Sequence, residues 1–217
     1  VALCHALGGD ACELYTDVPG VFTADPRLVP GARRLGSISF DELLEMTATG
    51  CPKPAMRSVE YARRWGVTLH VRSAFTWEPG TWVAEEDASM EQAIVSAVTH
   101  DVSEAKVTVS GVPDHPGIAA RLFRELADVD VNVDMIVQNV SDHGVTDISF
   151  TVPRNDLQAG TEVCRRLAGE IGATGVSSDR EIARVSIIGA GMKSNPGVAA
   201  TMFEVLAGEG VNIEMIS

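Results

Sequence analysis

Asp114-His115-Pro116-Gly117, followed downstream by Val131-Asn132-Val133-Asp134-Met135-Ile136, occurs twice in this chain. The second copy reads Ser194-Asn195-Pro196-Gly197 and then Val211-Asn212-Ile213-Glu214-Met215-Ile216, in register 80 residues later (196 − 116 = 80). Upstream, residues 107–111 match residues 185–189, with a loop two residues longer in the second copy. Repetition of this kind indicates a duplicated structural unit.

Each copy predicts a strand, a helix and a second strand. Residues 107–111 alternate and carry β-branched side chains, which is typical of a strand. Proline fits the first turn of a helix, and the polar residue before it can act as the cap. The helical stripe i, i+3, i+4, i+7 is formed by Ala119, Leu122, Phe123 and Leu126. Val131, Val133 and Met135 then alternate as a second strand.

The first copy continues through a further strand, helix and strand, which we place at residues 146–152, 156–171 and 173–177. The resulting order βαββαβ predicts an antiparallel sheet with its helices on one face. The second copy ends at Ser217, after its second predicted strand. The chain starts with Val1 in a predicted helix, so we expect it to be part of a longer protein.

The region before the repeats predicts a separate α/β domain. Helices are predicted at residues 1–7, 39–49 and 57–65, and strands at 11–16, 67–73, 80–83 and 93–99. Thr16 and Asp17 end the first strand, at the carboxyl edge where α/β sheets bind ligands. The alternative is that Asp17, Pro19 and Gly20 only form a turn.

Composition narrows the class of protein. A net charge of −13 over 217 residues argues against nucleic acid or an anionic membrane as a partner. There is no apolar run of membrane-spanning length and no signal peptide. The four cysteines are scattered, so we expect neither a metal site nor disulfides, and a cytoplasmic location.

Several motifs together resemble the aspartokinase family, whose members phosphorylate the β-carboxylate of aspartate with ATP. The resemblance covers essentially the whole chain. The wording and spacing of the motifs are most similar to those of the actinobacterial type regulated by lysine and threonine. The motifs are residues 15–27 (YTDVPGVFTADPR), 57–63 (RSVEYAR), 71–73 (VRS), 103–109 (SEAKVTV), 134–140 (DMIVQNV), 146–150 (TDISF) and 189–193 (GAGMK).

The resemblance implies an α/β fold, with part of an αβα-sandwich amino-acid-kinase domain and two ACT units of ferredoxin-like topology. The kinase part would be residues 1–88, and the first ACT unit, residues 105–180, would be inserted into the second. That second unit, residues 93–102 with 182–217, would be incomplete. Met90 aligns near the internal start that some relatives use for a separate regulatory subunit.

The resemblance also implies a nucleotide site for ATP with Mg²⁺. Its members here would be Thr16, Asp17, Phe22, Asp25, Arg27 and Lys53. Pro52 stands where the family has the ATP-contacting lysine, and Lys53 follows one residue late. The phosphate-binding and aspartate-binding motifs of the family are absent from this chain, so we assign no catalytic residue and expect it to be inactive alone.

An amino-acid effector site is predicted in each copy. The start of a helix attracts a carboxylate, while the ammonium group needs a carboxylate or amide partner. Asp114, Asp134 and Gln138 offer such partners in the first copy, and Asn212 and Glu214 in the second; alternatively, Asp114 only caps a helix. With the resemblance, the set becomes Asp114, His115, Pro116, Gly117, Ile118, Ala119, Asn132, Val133, Asp134, Gln138, Val198, Ala199, Asn212 and Ile213.

The resemblance implies lysine and threonine as effectors, and assembly through ACT units into a homo-oligomer or an α/β complex. Two other functions stay open at this point. A stand-alone amino-acid sensor would not need the ATP-loop motif, and a kinase for another acceptor such as glutamate would not need the ACT pair. We therefore expect a feedback-regulated kinase for aspartate.

Overall fold

The computed structural model of this chain describes residues 1–85, 94–139, 144–189, 195 and 197–216. Met90, Ala93, the 190–193 part of the glycine-rich motif, Ser194 and Pro196 lie outside the described residues. The chain divides into two compact units. The first comprises Val1–His100 with Val185–Asn212, and the second comprises Asp101–Arg184 with Ile213–Ser217.

The first unit contains four helices and two sheets among its described residues. The helices are α1 (Ala2–Ala6), α2 (Phe40–Ala48), α3 (Met56–Trp65) and α6 (Val198–Gly208). The strands β1 (Ala11–Thr16), β2 (Ser37–Ser39), β3 (Thr68–Ser73) and β4 (Thr81–Ala84) form a sheet in the order β1-β3-β4-β2. The strands β5 (Ala97–Asp101) and β10 (Arg184–Ile188) form a separate pair.

Local sequence explains the clearest of these helices. Ser39 and Glu42 form a reciprocal capping box at the start of α2, as the residue types predict. Phe40, Leu43 and Met46 of α2 are buried against the sheet. Strand β1 is parallel to β3, so Thr16 and Ser73 end at the same edge. This edge positions the loop that carries the candidate nucleotide residues.

The second unit has the predicted βαββαβ order and confirms the expected fold class. Its elements are β6 (Glu104–Pro113), α4 (Ile118–Ala127), β7 (Ile136–Gln138), β8 (Val145–Pro153), α5 (Leu157–Ile171) and β9 (Gly175–Asp179). The sheet order is β7-β8-β6-β9, and all its pairings are antiparallel.

Both helices of this unit cover the same face of its sheet. Leu122 and Leu126 of α4 and Val163 and Leu167 of α5 enter one core with Phe150 of β8. Ala119 and Phe123 lie at its margin, and the rings of Phe123 and Phe150 meet edge to face at 5.6 Å. The helical stripe predicted from the sequence is therefore the buried one.

The predicted strand over residues 131–135 is wrong in position. Asp130 adopts a left-handed conformation (φ 58°), and the Val131 N–H donates to Leu126 O, so Val131 ends the helix instead of opening a strand. Pairing to β8 begins only at Asp134 and Met135, and β7 spans Ile136–Gln138. The second copy also forms no strand over residues 211–216.

The helix starts also differ from the prediction. Helix α4 begins at Ile118 and α6 at Val198, and their caps are Gly117 (φ 96°) and Gly197 (φ 104°). Pro116 precedes the helix, and the side chain of Asp114 does not cap it, because a glycine with positive φ makes the turn. Strand β2, which is only three residues long, was not predicted from the sequence.

Other boundaries lie within a few residues of the prediction, and β5 runs to Asp101 instead of Thr99. None of the four cysteines is bonded to another, and only Cys164 is fully buried. Burial raises the pKa of the Cys164 thiol to about 11. Within the described residues, no helix is long and apolar enough to cross a membrane.

Candidate functional site

The carboxyl end of β1 turns sharply at Thr16. The Thr16 hydroxyl accepts a hydrogen bond from the Val18 N–H (2.9 Å) and donates to Val18 O (3.1 Å). The hydrogen-bonding capacity of the Thr16 hydroxyl is thus used within its own loop. The consequence of this turn is that Asp17 projects from the edge of the sheet, where its side chain is 60% exposed.

Asp17 meets Lys53, which lies 36 residues later in the loop after α2. The Lys53 ammonium donates to Asp17 Oδ1, and this hydrogen bond lowers the pKa of Asp17; the charge of Arg27 contributes in the same direction. The lysine that stands one residue late in the sequence therefore does reach the loop that follows β1.

Asp25 and Arg27 form the second charged pair of this loop. Asp25 accepts from the Arg27 backbone N–H at 2.9 Å, from Nε at 3.0 Å and from Nη2 at 2.7 Å. These bonds lower the pKa of Asp25 to about 2. The Arg27 side chain remains 80% exposed, so its guanidinium is fixed at one edge and open to solvent at the other.

Phe22 lies at the base of this loop. It bridges Arg34, while the Thr23 N–H donates to Arg33 O and the Leu35 N–H to Val21 O. These bonds close residues 24–32 into a projecting loop. Asp17, Lys53, Asp25 and Arg27 consequently form one neighbourhood of two anions and two cations, whose cations suit phosphate oxygens.

The first effector region begins where β6 ends. The Asp114 N–H donates to Gly144 O (2.9 Å), and the following turn leads through Gly117 into α4. Asp114, His115 and Gly117 are exposed, whereas Ile118 and Ala119 are half-buried at the edge of the core. The Ile118 N–H donates to His115 O (3.4 Å), and Asp114 lies exposed just before this helix start.

Asp134 does not lie near Asp114 in this unit, which corrects the predicted single cluster. The Asp134 N–H donates to Thr151 O (3.1 Å), seven residues along β8 from Gly144, the partner of Asp114 (151 − 144 = 7). At about 3.4 Å per residue, this separates the two positions by roughly 24 Å. Asn132 and Val133 precede Asp134 at the same far end, because the segment after α4 starts there.

Gln138 occupies an intermediate position. It pairs with Ile148 of β8 and is exposed, so it lies closer to the Asp114 end than Asp134 does. In the second copy, Val198 is half-buried, whereas Ala199, Asn212 and Ile213 are exposed. Helix α6 buries no residue although its sequence is largely apolar.

Arg184 is a residue that the sequence reasoning missed. It donates to Asp134 and forms longer ion pairs with Glu104 (3.4 Å) and Asp101 (3.5 Å). Burial raises the pKa of Glu104, and the Asp134 carboxylate adds to that rise while Arg184 opposes it. The available signal was a lone arginine opening the apolar strand β10, which no motif had marked.

Comparison with protein families divides the chain in two. The amino acid kinase family model matches residues 1–73. The ACT domain model matches residues 107–166 and 185–217. The ACT match is interrupted after residue 166. It resumes at residue 185, in the segment that follows β9.

Individual proteins give the same result. The chain is 53% identical over 221 aligned residues to an aspartokinase of Mycolicibacterium smegmatis, covering 100% of this chain and 52% of that protein. It is 44% identical to a solved structure of aspartokinase alpha and beta subunits, covering 57% of this chain and 80% of that one, with a TM-score of 0.52.

A third similar protein is aspartokinase III of E. coli, 27% identical over 99% of this chain and 47% of that one. It was solved with aspartate and ADP (TM-score 0.75) and with lysine and aspartate (TM-score 0.72). The chain spans about half the length of the curated relatives it matches.

Proposed function

This chain belongs to the aspartokinase family, and from that premise we propose that the complete protein transfers the γ-phosphoryl group of ATP to the β-carboxylate of aspartate, giving 4-phospho-aspartate. The observation that carries this proposal is the 53% identity that extends over the whole chain. The match of residues 1–73 to amino acid kinases supports a kinase over a stand-alone amino-acid sensor. The aspartate bound in the E. coli relative supports aspartate as the acceptor.

We assign Thr16, Asp17, Phe22, Asp25, Arg27 and Lys53 to the nucleotide side of the site. Thr16 turns the loop, Asp25 orients the Arg27 guanidinium, and Arg27 and Lys53 supply positive charge. Arg27 uses Nε and Nη2 on Asp25, which leaves Nη1 for a phosphate oxygen. Phosphoryl transfer depends on such positioning and charge stabilisation.

ATP enters this proposal with Mg²⁺. Magnesium usually bridges the phosphates and keeps several waters, so it does not require a dedicated protein cage. In the described part of the chain, no group of three or more His, Cys, Asp or Glu could hold a metal ion. The residues here suit the phosphates, and we assign no metal ligand and no catalytic residue to them.

The regulatory part of the proposal rests on the ACT units. We divide the chain into residues 1–88 of the kinase domain, residues 105–180 as the first ACT unit, and residues 93–102 with 182–217 as the second. The pairing of β5 with β10 supports the last assignment, since it joins the segments before and after the inserted unit. Lysine in the E. coli structure supports lysine as an effector, and threonine follows from the sequence resemblance.

Assembly through the ACT units would complete the effector sites. One unit holds Asp114 and Asp134 at opposite ends, so we infer that a second unit supplies the missing half of each pocket. The solved alpha and beta subunits support association between chains of this family. A cytoplasmic location stays a prediction.

A coupled assay of the complete protein with ATP and either aspartate or glutamate tests the proposed activity. We expect turnover with aspartate only, and none from residues 1–217 alone, because the chain lacks the family's phosphate-binding and aspartate-binding motifs. Turnover with glutamate would point to another amino acid kinase. Binding of lysine without any kinase activity in the complete protein would point to a sensor.

A further inference from the structure

A polar cavity of about 360 Å³ lies within the second unit, between the first half of α5 and the edge strand β9. Its lining shares no residue with the nucleotide or effector candidates. The side chains that matter are Arg154, Gln158, Thr161, Arg165, Ser178 and Arg180. The volume falls in the range of about 300–1,000 Å³ that is typical of small-molecule sites.

Three elements bring the arginines together. Arg154 follows β8 directly, and Arg180 follows β9. Gln158, Thr161 and Arg165 are spaced by three and four residues along α5, which places them on one face of that helix. Because β9 is the outer strand of its sheet, nothing in the sheet covers this face of the cavity.

The Arg154 side chain is fixed in place. Its Nε donates to Glu104 O and its Nη2 to Ile182 O, both at 3.2 Å. Carbonyl groups orient the guanidinium without neutralising it, and a guanidinium has five N–H donors. Arg154 therefore keeps its full charge and further donors at the cavity.

The charge of this cavity is opposite to that of the chain. The protein carries −13 overall, yet three arginines and no carboxylate line this space. Among the described residues, Arg165 and Arg180 form no ion pair, whereas the neighbouring Arg166 pairs with Glu125 at 3.1 Å. Carboxylates flank the cavity at Asp156, Asp179 and Glu181, and Glu162 accepts from the Gln158 amide at 3.0 Å, so the positive charge is confined to the lining itself.

We propose that this cavity binds the diphosphate group of a small molecule. Three guanidinium groups in one cavity repel each other. An anion whose negative charge is of comparable size relieves that repulsion. Their planar forks match phosphate oxygens, and the hydroxyl of Ser178 adds a further donor. The site is independent of the proposed kinase activity, since it uses residues of the second unit only.

The test is an NMR titration of the 217-residue chain with sodium pyrophosphate at constant ionic strength, because screening would otherwise mimic weakened binding. The resonances followed are the Nε–H groups of Arg165 and Arg180 and the amides of Gln158 and Ser178. We expect saturable shifts at these groups. Arg165→Gln with Arg180→Gln should weaken binding by about a hundredfold or more, since each lost charged hydrogen bond costs roughly tenfold or more.

Arg166→Gln is the matched control, because it removes the next arginine on the same helix without touching the cavity, and it should leave binding unchanged. Thermal unfolding of each variant checks that the fold is retained. ADP, added in a separate titration and read at the same resonances, distinguishes a nucleoside diphosphate from free inorganic diphosphate; binding of either supports the site.

Three outcomes would overturn the proposal. The first is the absence of saturable shifts in the wild-type chain. The second is binding that survives in the double variant or is lost equally in Arg166→Gln. The third is citrate binding as tightly as pyrophosphate, which would mean that the cavity responds to total negative charge and not to phosphate geometry.

Discussion

At the scale of single residues, the pairing of Asp25 with Arg27 is the most informative feature of the nucleotide loop. Asp25 is 14% exposed and Arg27 is 80% exposed, so the carboxylate is an anchor and the guanidinium is the part presented to solvent. A cation held in this way loses little freedom when it binds a phosphate. The sequence marked both residues through the family motif, but only the structure shows this division of roles.

Changing Arg27 to Ala in the complete protein should impair the use of ATP. A hydrogen bond to a charged group contributes about 1.5–3 kcal/mol, so the KM for ATP should rise, or kcat fall, by roughly tenfold or more. Steady-state kinetics over a range of ATP concentrations measure this. Arg33→Ala is the control, because Arg33 is an exposed arginine at the base of the same loop. Unchanged ATP kinetics in Arg27→Ala would show that the loop does not serve the nucleotide.

The titration of Asp25 gives an independent reading of the same pair. Arg27 lowers the folded pKa of Asp25 to about 2, below the ordinary value of about 3.9. The pair thus stabilises the fold above about pH 4 and loses that contribution as pH falls towards 2. Side-chain NMR should show a midpoint near 2 in the wild type and a clearly higher midpoint in Arg27→Ala, which loses the guanidinium but keeps the backbone N–H bond to Asp25. Equal midpoints in the two proteins would contradict the assigned pairing.

Lys53 shows where residue-level prediction stops. In the sequence, Lys53 stands one residue after the family position. Sequence spacing alone does not show where a long side chain places its ammonium group. The structure brings its ammonium to Asp17 across 36 residues of sequence. Contacts of this kind depend on how two loops meet, which no local pattern encodes.

At the scale of elements, periodicity predicted the helices well and one strand badly. The stripe on α4 and the capping box of α2 are local properties, so the sequence contains them. The alternation of Val131, Val133 and Met135 looked like a strand, yet Val131 is buried under the end of α4. A connector that buries every second side chain has the same pattern as a strand, and only its hydrogen bonds distinguish the two.

Within the second unit, Arg184 joins the start of β6 to the segment before β7 through Glu104 and Asp134, and replacing it should destabilise that unit. Glu104 and Asp101 are 12% and 20% exposed, and Arg184→Met would leave both near one another without this cation. We expect a loss of about 3 kcal/mol in the free energy of unfolding, the lower end of the range for breaking a buried ion pair. Urea denaturation at pH 7 measures it.

The pH dependence of this loss identifies its cause. Without Arg184, the folded pKa of Glu104 should rise further above its unfolded value, so the folded state holds a proton that the unfolded state has released. Stability of the variant should then fall as pH rises above about 4. Arg121→Met, which removes an exposed arginine paired with Glu125, should destabilise the fold much less than Arg184→Met, because solvent screens an exposed pair. A pH-independent loss in Arg184→Met would indicate lost packing instead of the removal of a cation from beside Glu104.

At the scale of the whole molecule, the duplication predicted a repeated structural unit, and the family resemblance implied that it is an ACT unit, but neither predicted whether one unit holds a complete effector site. The sequence grouped Asp114, Gln138 and Asp134 because each offers a carboxylate or an amide to an ammonium group within the first copy. Strand direction separates them, since β7 enters the sheet at the end opposite to Asp114. We therefore propose that an effector that needs both ends binds between ACT units of two different chains, which would link its binding to their association.

If effector binding and association are linked, each should strengthen the other. Lysine or threonine should strengthen self-association of the complete protein, which sedimentation at several protein concentrations measures with and without each effector. Asp114→Ala or Gln138→Ala should raise the inhibitory concentration of effector by about ten- to a hundredfold, the effect of one lost hydrogen bond to a charged group. Asp128→Ala, an exposed acid at the other end of α4, is the control.

Activity without effector should stay at the wild-type level in both variants, because the nucleotide loop lies in the other unit of the chain. Wild-type inhibition curves in both variants would mean that the pocket lies elsewhere. A fall of activity in the absence of effector would mean that Asp114 and Gln138 support the fold. A variant could also be inhibited less strongly and still self-associate normally when effector is added. Binding of the amino acid would then not be linked to association, and the reason for placing the pocket between ACT units would be gone.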